Sequence, residues 1–219
     1  GFFCMCGIVA LVGSREAAPQ LLEGLRQLEY RGYDSAGIAT VAAQGQLTCL
    51  RAKGKLRNLT ACFEAEGAPG QCGIGHTRWA THGKPEERNA HPHRSGDGAL
   101  AVVQNGIIEN HRALREQLEA SGVVFQSETD TEVIPHLLAA ELQQLQAAGA
   151  TPGGGLLLEA LQRVLPKLQG AYALAVIWDQ APGALVVARK AAPLLIGLGE
   201  GEFLCASDTP ALAGFTRTI

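Results

Sequence analysis

A few stretches of this chain are rich in side chains that can act as nucleophiles, transfer protons or stabilise charge. These side chains are cysteine, histidine, arginine, asparagine and aspartate. Cys6 heads one apolar run, and polar segments follow other strand-like runs. The segments are Tyr30–Gly37, Gly75–Gly83, Asn89–His93, Gln104–Asn110 and Ser127–Glu132. Binding and catalytic residues usually lie on loops held by a rigid scaffold. The pattern therefore predicts a functional site, without deciding its chemistry.

A metal site is the first alternative for some of these residues. The candidates are His76, His82, His91 and His93, with Cys72 nearby. No closely spaced pair of ligands is repeated, as it is in zinc fingers and ribbons. We therefore predict no structural metal.

The elements that must position these residues can be read from the apolar pattern. Short apolar runs bounded by glycine and polar residues predict strands at 6–12, 37–43, 46–52, 72–81, 99–104, 171–178, 184–188, 194–198 and 202–206. Leucines at helical spacing predict helices through 21–28, after 55, over 110–122, over 129–145, over 157–168 and from 208. Asn110 is one predicted helix cap, and Thr129 with Glu132 matches a capping box.

The order of these elements indicates the fold class. Strands come in clusters, helices are grouped between them, and short links dominate. This favours antiparallel sheets covered by helices over a doubly wound parallel sheet. Neither a G-x-G-x-x-G nor a P-loop motif occurs, so no nucleotide site is predicted.

Composition limits the class of protein. The 219 residues suffice for one substantial core and allow one domain or at most two. A composition of 47% hydrophobic and 18% charged residues is typical of a folded globular chain. A net charge of −3 argues against nucleic acid or an anionic membrane as the main partner. No apolar run is long enough to span a bilayer, and Gly1–Met5 lacks the positive start of a secretion signal. We expect a cytoplasmic protein with reduced thiols.

Together the segments resemble the class II glutamine amidotransferases, from Cys6-Gly7-Ile8-Val9 through nearly the whole chain. Within that class they are most similar to the glutaminase domain of glutamine–fructose-6-phosphate aminotransferases, through Thr77–Gly83, Asn89–His93 and Glu128–Glu132. Amidophosphoribosyltransferases share the Cys-Gly-Ile start and Tyr-Arg-Gly but typically lack those three forms. The resemblance implies an α+β fold: a four-layer αββα sandwich of two antiparallel sheets, the N-terminal-nucleophile hydrolase fold.

The resemblance implies hydrolysis of glutamine through a thioester on Cys6. A thiol, with a reference pKa of about 8.5, is mostly protonated at neutral pH, whereas an α-amine at roughly 7.7–8.0 can accept its proton. A first-residue cysteine thus carries its own base. Because the Cys6 nitrogen is an amide while Gly1–Met5 stays attached, we expect that segment to be removed, leaving 6–219 as the domain. The alternative is a buried strand cysteine.

The resemblance also assigns the groups around the substrate. Asn105 and the backbone N–H of Gly106 correspond to the oxyanion hole; the alternative is a common Asn-Gly turn. Arg78 corresponds to the residue that binds the α-carboxylate through two hydrogen bonds, with a surface ion pair as the alternative. Asp130 corresponds to the partner of the α-ammonium, with helix capping as the alternative.

Further residues have family counterparts around this site. Trp79 resembles the gate between two active sites, and its alternative is a core aromatic. Residues that resemble the remaining pocket lining are Thr81, His82 and Gly83. Residues that resemble scaffolding around the nucleophile are Arg31, Tyr33 and Asp34. Gln104 departs from the family, because bacterial synthases usually have histidine before Asn-Gly.

The resemblance implies L-glutamine as substrate and no cofactor. In the full-length family, ammonia passes to a C-terminal isomerase half that converts fructose 6-phosphate to glucosamine 6-phosphate. That half is not expected within this sequence, and full-length enzymes are expected to form homo-oligomers. Two alternatives remain: an amidotransferase serving another acceptor, such as phosphoribosyl pyrophosphate, and an inactive binding module with a blocked N-terminus.

Overall fold

A computed structural model describes residues 6–80 and 83–215, so Gly1–Met5, Thr81 and His82 lie outside the described residues. The strands are β1 (Gly7–Gly13), β2 (Ser35–Val41), β3 (Leu47–Lys53), β4 (Cys72–Arg78), β5 (His93–Arg94), β6 (Leu100–Gly106), β7 (Tyr172–Trp178), β8 (Val186–Lys190), β9 (Leu195–Gly199) and β10 (Glu202–Ala206). The helices are α1 (Ala17–Gln27), α2 (Leu56–Glu66), α3 (His111–Ala120), α4 (Val133–Ala147), α5 (Gly154–Val164) and α6 (Pro210–Ala213).

Two antiparallel sheets form the centre of the molecule. One has strand order β3-β2-β4-β1-β10-β9, and the other β5-β6-β7-β8. The start of β1 lies beside the end of β4, where Gly7 pairs with Thr77. The end of β6 lies beside the start of β7, where Gly106 pairs with Tyr172. These registers bring residues from distant parts of the sequence to common sheet ends.

The helices cover the outer faces of the two sheets and give four layers. Helices α1, α2 and α6 pack on the six-stranded sheet, and α3, α4 and α5 pack on the four-stranded sheet. Strand β6 shows how alternation builds this arrangement. Its Leu100 and Val102 belong to the helix-covered core, while Ala101 and Val103 pack between the sheets. The predicted αββα sandwich is confirmed.

Some element boundaries differ from those predicted. The strand expected to end at 104 continues to Gly106, and the strand expected to reach 81 ends at Arg78. Strand β5, only two residues long, was not predicted. Asn110 holds the N-cap position of α3 but makes no capping bond, because its side chain binds the backbone of Lys167 and Gln169. The predicted N-cap position is confirmed, and the capping hydrogen bond is absent.

One close backbone approach depends on glycine. A Cβ on Gly37 in β2 would collide with the carbonyl oxygen of His91. Its absence lets the polar segment Asn89–His93 lie against the sheet. Among the described residues, no helix is long and apolar enough to cross a membrane.

Candidate active site

Cys6 lies where β1 and β4 meet. It immediately precedes β1 and is buried. The backbone N–H of Trp79 donates to Cys6 Sγ at 3.2 Å, and Sγ lies 3.6 Å from the Trp79 carbonyl oxygen. The next N–H along the chain, that of Gly7, donates to Thr77 Oγ1 at 3.1 Å. The end of β4 therefore holds the sulfur through backbone groups.

The amide of Asn105 is held in one orientation beside Cys6. Its Nδ2 donates to the Cys6 carbonyl oxygen at 3.0 Å. Its Oδ1 lies 2.9 Å from His76 Nε2, which is also 3.1 Å from the carbonyl oxygen of Gln104. Both of these partners are acceptors, so Nε2 must carry the ring proton. His76 thus directs the Asn105 NH2 group toward Cys6, and one of its two N–H bonds remains for a ligand.

Gly106 completes this end of β6 with a backbone that favours glycine. Its φ is +102°, and a Cβ would collide with the carbonyl oxygen of Ala171. Any side chain here would force the strand end away from β7. Because Asn105 and Gly106 belong to the strand, the turn alternative is wrong.

Arg78 is a buried guanidinium at the end of β4. Only 3% of it is exposed, and it donates to the carbonyl oxygens of Lys84 at 3.1 Å and Gly83 at 3.3 Å. Burial lowers its pKa, against the opposing effects of Asp34 and other acidic groups. An arginine nevertheless stays protonated in proteins. The surface ion pair alternative is wrong, and the site contains a buried positive charge.

Asp130 supplies a buried negative charge from a turn beside the four-stranded sheet. It begins a 3₁₀ turn, Asp130–Glu132, packed against the end of β6. Its Oδ2 accepts a hydrogen bond from the backbone N–H of Ile108 at 2.8 Å. One carboxylate oxygen therefore fixes the side chain to the segment that follows β6.

The turn carrying Asp130 is anchored by Glu132. Its carboxylate accepts hydrogen bonds from the backbone N–H groups of Gln126 at 3.1 Å and Ser127 at 2.6 Å. Burial opposes its ionisation, but hydrogen bonds from His136 and Ser127 outweigh burial and hold the Glu132 pKa at about 2. Thr129 makes no capping bond. The capping-box prediction was wrong, because Glu132 serves the preceding loop.

One cavity collects most of these groups. The predicted site residues that line it are Cys6, Arg78, Trp79, Gly106 and Asp130. Lining residues to which the sequence assigned no site role are His91, Gln104, Thr129 and Thr131. The arrangement places a thiol and two opposite buried charges around one space, and the Asn105 amide binds the carbonyl of the residue that carries the thiol.

Trp79 and Gly83 differ in their relation to the cavity. The Trp79 side chain is 48% exposed, so the core-aromatic alternative is wrong. Gly83 does not line the cavity and instead accepts a hydrogen bond from Arg78 through its carbonyl. Thr81 and His82 fall in the undescribed gap between them.

Asp34 supports the segment that touches the sulfur. Its Oδ2 accepts a hydrogen bond from the Ala80 N–H at 2.7 Å, and its own N–H donates to the Arg78 carbonyl oxygen at 2.8 Å. These contacts fix the backbone on both sides of Trp79.

Arg31 and Tyr33 act farther from the sulfur. Arg31 Nη1 lies 3.5 Å from Ser207 Oγ, which accepts the N–H of Ile8 at 2.9 Å. The Tyr33 hydroxyl accepts the Leu56 N–H at 2.7 Å, at the start of α2. Arg31 therefore supports β1 indirectly, while Tyr33 supports the helix.

Three buried histidines lie under the site. The rings of His76 and His91 stack at 3.9 Å, and His93 meets His91 edge-on at 4.8 Å. Burial lowers the pKa of His76 and His93 to about 3, and that of His91 well below 6.5. From sequence they were considered only as metal ligands. Within the described residues no histidine, cysteine and carboxylate group is arranged to hold a metal.

We expect these histidines to make the fold sensitive to acid. Their folded pKa values lie below the unfolded value of about 6.5, so the unfolded state binds more protons as the pH falls below it. The contribution of these histidines to the free energy of unfolding is fully present above that pH. It is lost as the pH falls toward 3, by up to about 1.4 kcal/mol per pH unit for each histidine. Urea titrations at pH 7.5, 6.0 and 5.0 measure this loss.

The variant His93→Gln tests this origin. Glutamine can bond Thr129 as His93 does, through a contact of 2.8 Å, but it does not titrate. The slope of stability against pH should become smaller, since one of the three titrating groups is removed. Equal unfolding free energies at pH 7.5 and 5.0 in the unmodified protein would contradict the expectation.

Comparison with known proteins gives an independent result. Residues 76–214 match the family described as glutamine amidotransferase domain. Glutamine–fructose-6-phosphate aminotransferase (isomerizing) of Thermosynechococcus vestitus is 59% identical over 98% of this chain and 33% of its own length. The Escherichia coli protein of the same name is 53% identical over 97% of this chain and 33% of its own length. The chain thus spans about a third of these curated relatives.

Solved structures are similar as well. Glutamine phosphoribosylpyrophosphate amidotransferase from B. subtilis, complexed with ADP and GMP, is 30% identical with a TM-score of 0.78. The match covers 96% of this chain and 44% of that one. A glutamine aminotransferase class-II domain protein from Silicibacter pomeroyi has a TM-score of 0.55 at 16% identity, over 92% of this chain and 88% of that one. This second likeness bears on the fold alone.

Proposed function

This chain belongs to the family of glutamine amidotransferase domains, and we propose that it hydrolyses L-glutamine to L-glutamate and ammonia at Cys6. The observation that carries the proposal is the single cavity shared by the Cys6 thiol, the buried cation Arg78 and the buried anion Asp130. An α-amino acid with a side-chain amide has a complementary group for each. The oriented Asn105 amide adds a donor beside the thiol.

The first half of the reaction forms a thioester. The α-amine of Cys6, once that residue is first in the chain, takes the thiol proton, and Sγ attacks the amide carbon of glutamine. The resulting oxyanion accepts hydrogen bonds from Asn105 Nδ2 and the N–H of Gly106. Fixed donors of this kind stabilise charge that develops only in the transition state. The C–N bond then breaks, and the ammonium of Cys6 returns its proton to the departing ammonia.

The second half releases glutamate. The same α-amine takes a proton from water, and the hydroxide attacks the thioester carbon. Sγ leaves as thiolate and recovers the proton, so the enzyme is restored and one water is consumed. For this cycle we propose that residues 6–219 are the working domain and that Gly1–Met5 is removed.

Arg78 and Asp130 provide recognition of the two charges that glutamine carries at its α-carbon. A guanidinium can bind a carboxylate through two parallel hydrogen bonds. Asp130 Oδ1 is proposed to bind the α-ammonium while Oδ2 keeps its contact with Ile108. Trp79, Thr81 and His82 are proposed to complete the pocket. Gly83 is proposed to act through its carbonyl contact with Arg78, and Arg31, Tyr33 and Asp34 to support the site.

We expect Arg78→Lys and Asp130→Asn to raise KM for glutamine much more than they lower kcat. Both charges of the substrate persist in the transition state, so the protein groups that bind them stabilise the ground state and the transition state equally. Weakening those groups therefore affects binding rather than the chemical step. Losing a charged partner, as in Asp130→Asn, commonly costs about 2–5 kcal/mol, which corresponds to a KM increase of roughly 30-fold or more. Arg78→Lys keeps the charge but loses the paired geometry of the two hydrogen bonds. Initial rates of ammonia release over a range of glutamine concentrations provide the measurement.

The variants are chosen to keep the fold. Asp130→Asn retains an acceptor for the Ile108 N–H and removes only the charge. Arg163→Ala, on the exposed face of α5, is a matched control that removes a surface ion pair with Glu159; such pairs contribute about 0–1 kcal/mol. A normal KM in both site variants would refute the assigned roles.

We further propose that the domain supplies ammonia for the synthesis of glucosamine 6-phosphate from fructose 6-phosphate. Support comes from relatives at 53–59% identity that carry the name of that aminotransferase and extend well beyond this domain. A longer, cytoplasmic, homo-oligomeric protein with an isomerase half is part of this proposal. Phosphoribosyl pyrophosphate is the second candidate acceptor. A solved structure that is 30% identical to this chain is named glutamine phosphoribosylpyrophosphate amidotransferase.

Product analysis distinguishes the acceptors. Glutamine labelled with nitrogen-15 in its amide should give labelled ammonia with the 219-residue chain, and no amino sugar when fructose 6-phosphate is added. The full-length protein from its native source should transfer the label to fructose 6-phosphate. Transfer to phosphoribosyl pyrophosphate instead would favour the second candidate, and labelled glucosamine 6-phosphate from the chain alone would refute the requirement for an isomerase half.

A further inference from the structure

Gln104 is tied into the site through three of its four hydrogen-bonding groups. Its backbone N–H donates to His91 Nδ1 at 3.3 Å, and its carbonyl oxygen accepts from His76 Nε2 at 3.1 Å. Its side-chain Oε1 accepts from Thr131 Oγ1 at 2.6 Å. The side chain is 2% exposed, so neither end of its amide reaches bulk water.

The fourth group, the amide nitrogen Nε2, is buried without a hydrogen-bond partner. Leaving a buried donor unsatisfied is costly, so such groups in folded proteins call for an explanation. A few other side chains in the described part of the chain also have an unpartnered buried atom, but Gln104 is the one among them that lines the cavity with Cys6. The arrangement suits a donor that is satisfied when a ligand binds.

Position along the chain indicates which part of the ligand this donor meets. Thr131, which holds the Gln104 amide, follows Asp130 directly in the same 3₁₀ turn. Gln104 also precedes Gly106 by two residues on β6, a separation of about 7 Å along a strand. That length is comparable to the distance between the side-chain amide and the α-carboxylate of glutamine. The side-chain amide of Gln104 is therefore expected near the α-carbon end of the bound ligand, where Asp130 would bind the α-ammonium.

We propose that Gln104 Nε2 donates a hydrogen bond to the α-carboxylate of the bound amino acid and so acts with Arg78 in selecting it. At that end of glutamine the ammonium only donates, whereas the carboxylate only accepts. The inference rests on the proposed glutaminase function and adds a second determinant of specificity to it. Thr131 serves as a positioning residue, because its hydroxyl binds Oε1 and leaves Nε2 as the donor of the side-chain amide that has no partner within the protein.

The test compares two ligands that differ only in the α-carboxylate. L-Glutamate has it, and 4-aminobutanoate keeps the amine and the side-chain carboxylate but lacks it. Dissociation constants are measured by calorimetry for the unmodified chain, for Gln104→Met and for a control, Gln144→Met, on the exposed face of α4. A hydrogen bond to a charged group is worth about 10- to 100-fold in affinity. Gln104→Met should weaken glutamate binding by about this factor and change 4-aminobutanoate binding less than threefold.

A second variant protects the test against a folding defect. Gln104→Glu keeps the shape and the acceptor for Thr131 but places a negative charge near the carboxylate, so glutamate binding should weaken more than in Gln104→Met. Equal weakening of both ligands, or unchanged glutamate binding in either folded variant, would overturn the proposal. Failure of the unmodified chain to bind glutamate would instead refute the glutaminase function itself, and the two failures are thus distinguishable.

Discussion

Replacing Cys6 with alanine should abolish glutamine hydrolysis. The variant removes the atom that forms the thioester, while the backbone carbonyl that binds Asn105 stays in place. Loss of a covalent nucleophile typically lowers kcat by more than about 10⁴-fold. Ammonia release from saturating glutamine measures the effect, and a circular dichroism spectrum confirms that the variant folds.

Covalent labelling makes the same assignment without a mutation. A glutamine analogue that carries an electrophile in place of the amide should add one label, at Cys6. Burial raises the pKa of Cys72 and Cys205 to about 12 and also raises that of Cys49, so these thiols stay protonated near neutral pH. The thiolate is the reactive form. These three should therefore remain unlabelled.

Cys62→Ala is the matched control for both measurements, because Cys62 is a partly buried cysteine on α2, packed against the core on the helix side of the six-stranded sheet. It should retain turnover and take up one label. Labelling at Cys72 with Cys6 untouched would remove Cys6 from the mechanism. Full activity in Cys6→Ala would do the same, because hydrolysis would then proceed without the Cys6 thiol, whereas no hydrolysis by either protein would favour a binding module.

The strands could be predicted because each is a short apolar run bounded by glycine or polar residues. The four-layer arrangement came from the family resemblance, since periodicity does not reveal which sheet faces which. Predicted strand boundaries were wrong where polar residues continue a strand. Asn105 and Gly106 look like a turn, yet their pairing with β7 continues the strand. Such pairing depends on residues more than 60 positions away, so local sequence does not report it.

In the candidate site, too, some residues could be predicted from the sequence and others could not. Residue types and motif order predicted Cys6, Arg78 and Asp130, and all three line one cavity. The roles of His76 and Gln104 were not predicted. Each depends on contacts between β4, β6 and the turn after residue 129, and hydrogen-bond direction is fixed only when those partners meet. The capping box failed because Glu132 satisfies two donors in the preceding loop rather than the start of its own helix.

The buried histidines bear directly on which group serves as the base. His91 lines the cavity, but burial lowers its pKa well below 6.5, and His76 is held near 3. Groups that weak as bases accept a thiol proton poorly at neutral pH, since an effective general base has a pKa near the working pH. An α-amine, with a reference pKa of roughly 7.7–8.0, meets that requirement. The lowered pKa values of these histidines therefore favour the amine of Cys6 over a neighbouring imidazole as the base.

Activity should accordingly depend on a free α-amine at Cys6. The comparison uses a chain that starts at Cys6 and one in which Gly1–Met5 is retained behind an uncleavable N-terminal fusion. In the second protein the Cys6 nitrogen is an amide without basicity near neutral pH, and the added chain extends from the nucleophile itself. General-base catalysis contributes about 10²- to 10⁴-fold, so the fused protein should be slower by at least that factor.

The pH dependence of the active form supplies a second readout. Below a pH of about 7.7 the amine becomes protonated, so kcat/KM should fall as the pH is lowered through this range. Intact mass must show that the fusion survives the assay, because a trace of cleaved protein would mimic activity. A chain with the blocked amine that hydrolyses glutamine as fast as the chain starting at Cys6, with its fusion intact, would falsify the N-terminal-amine mechanism and return the search for the base to the histidines under the site.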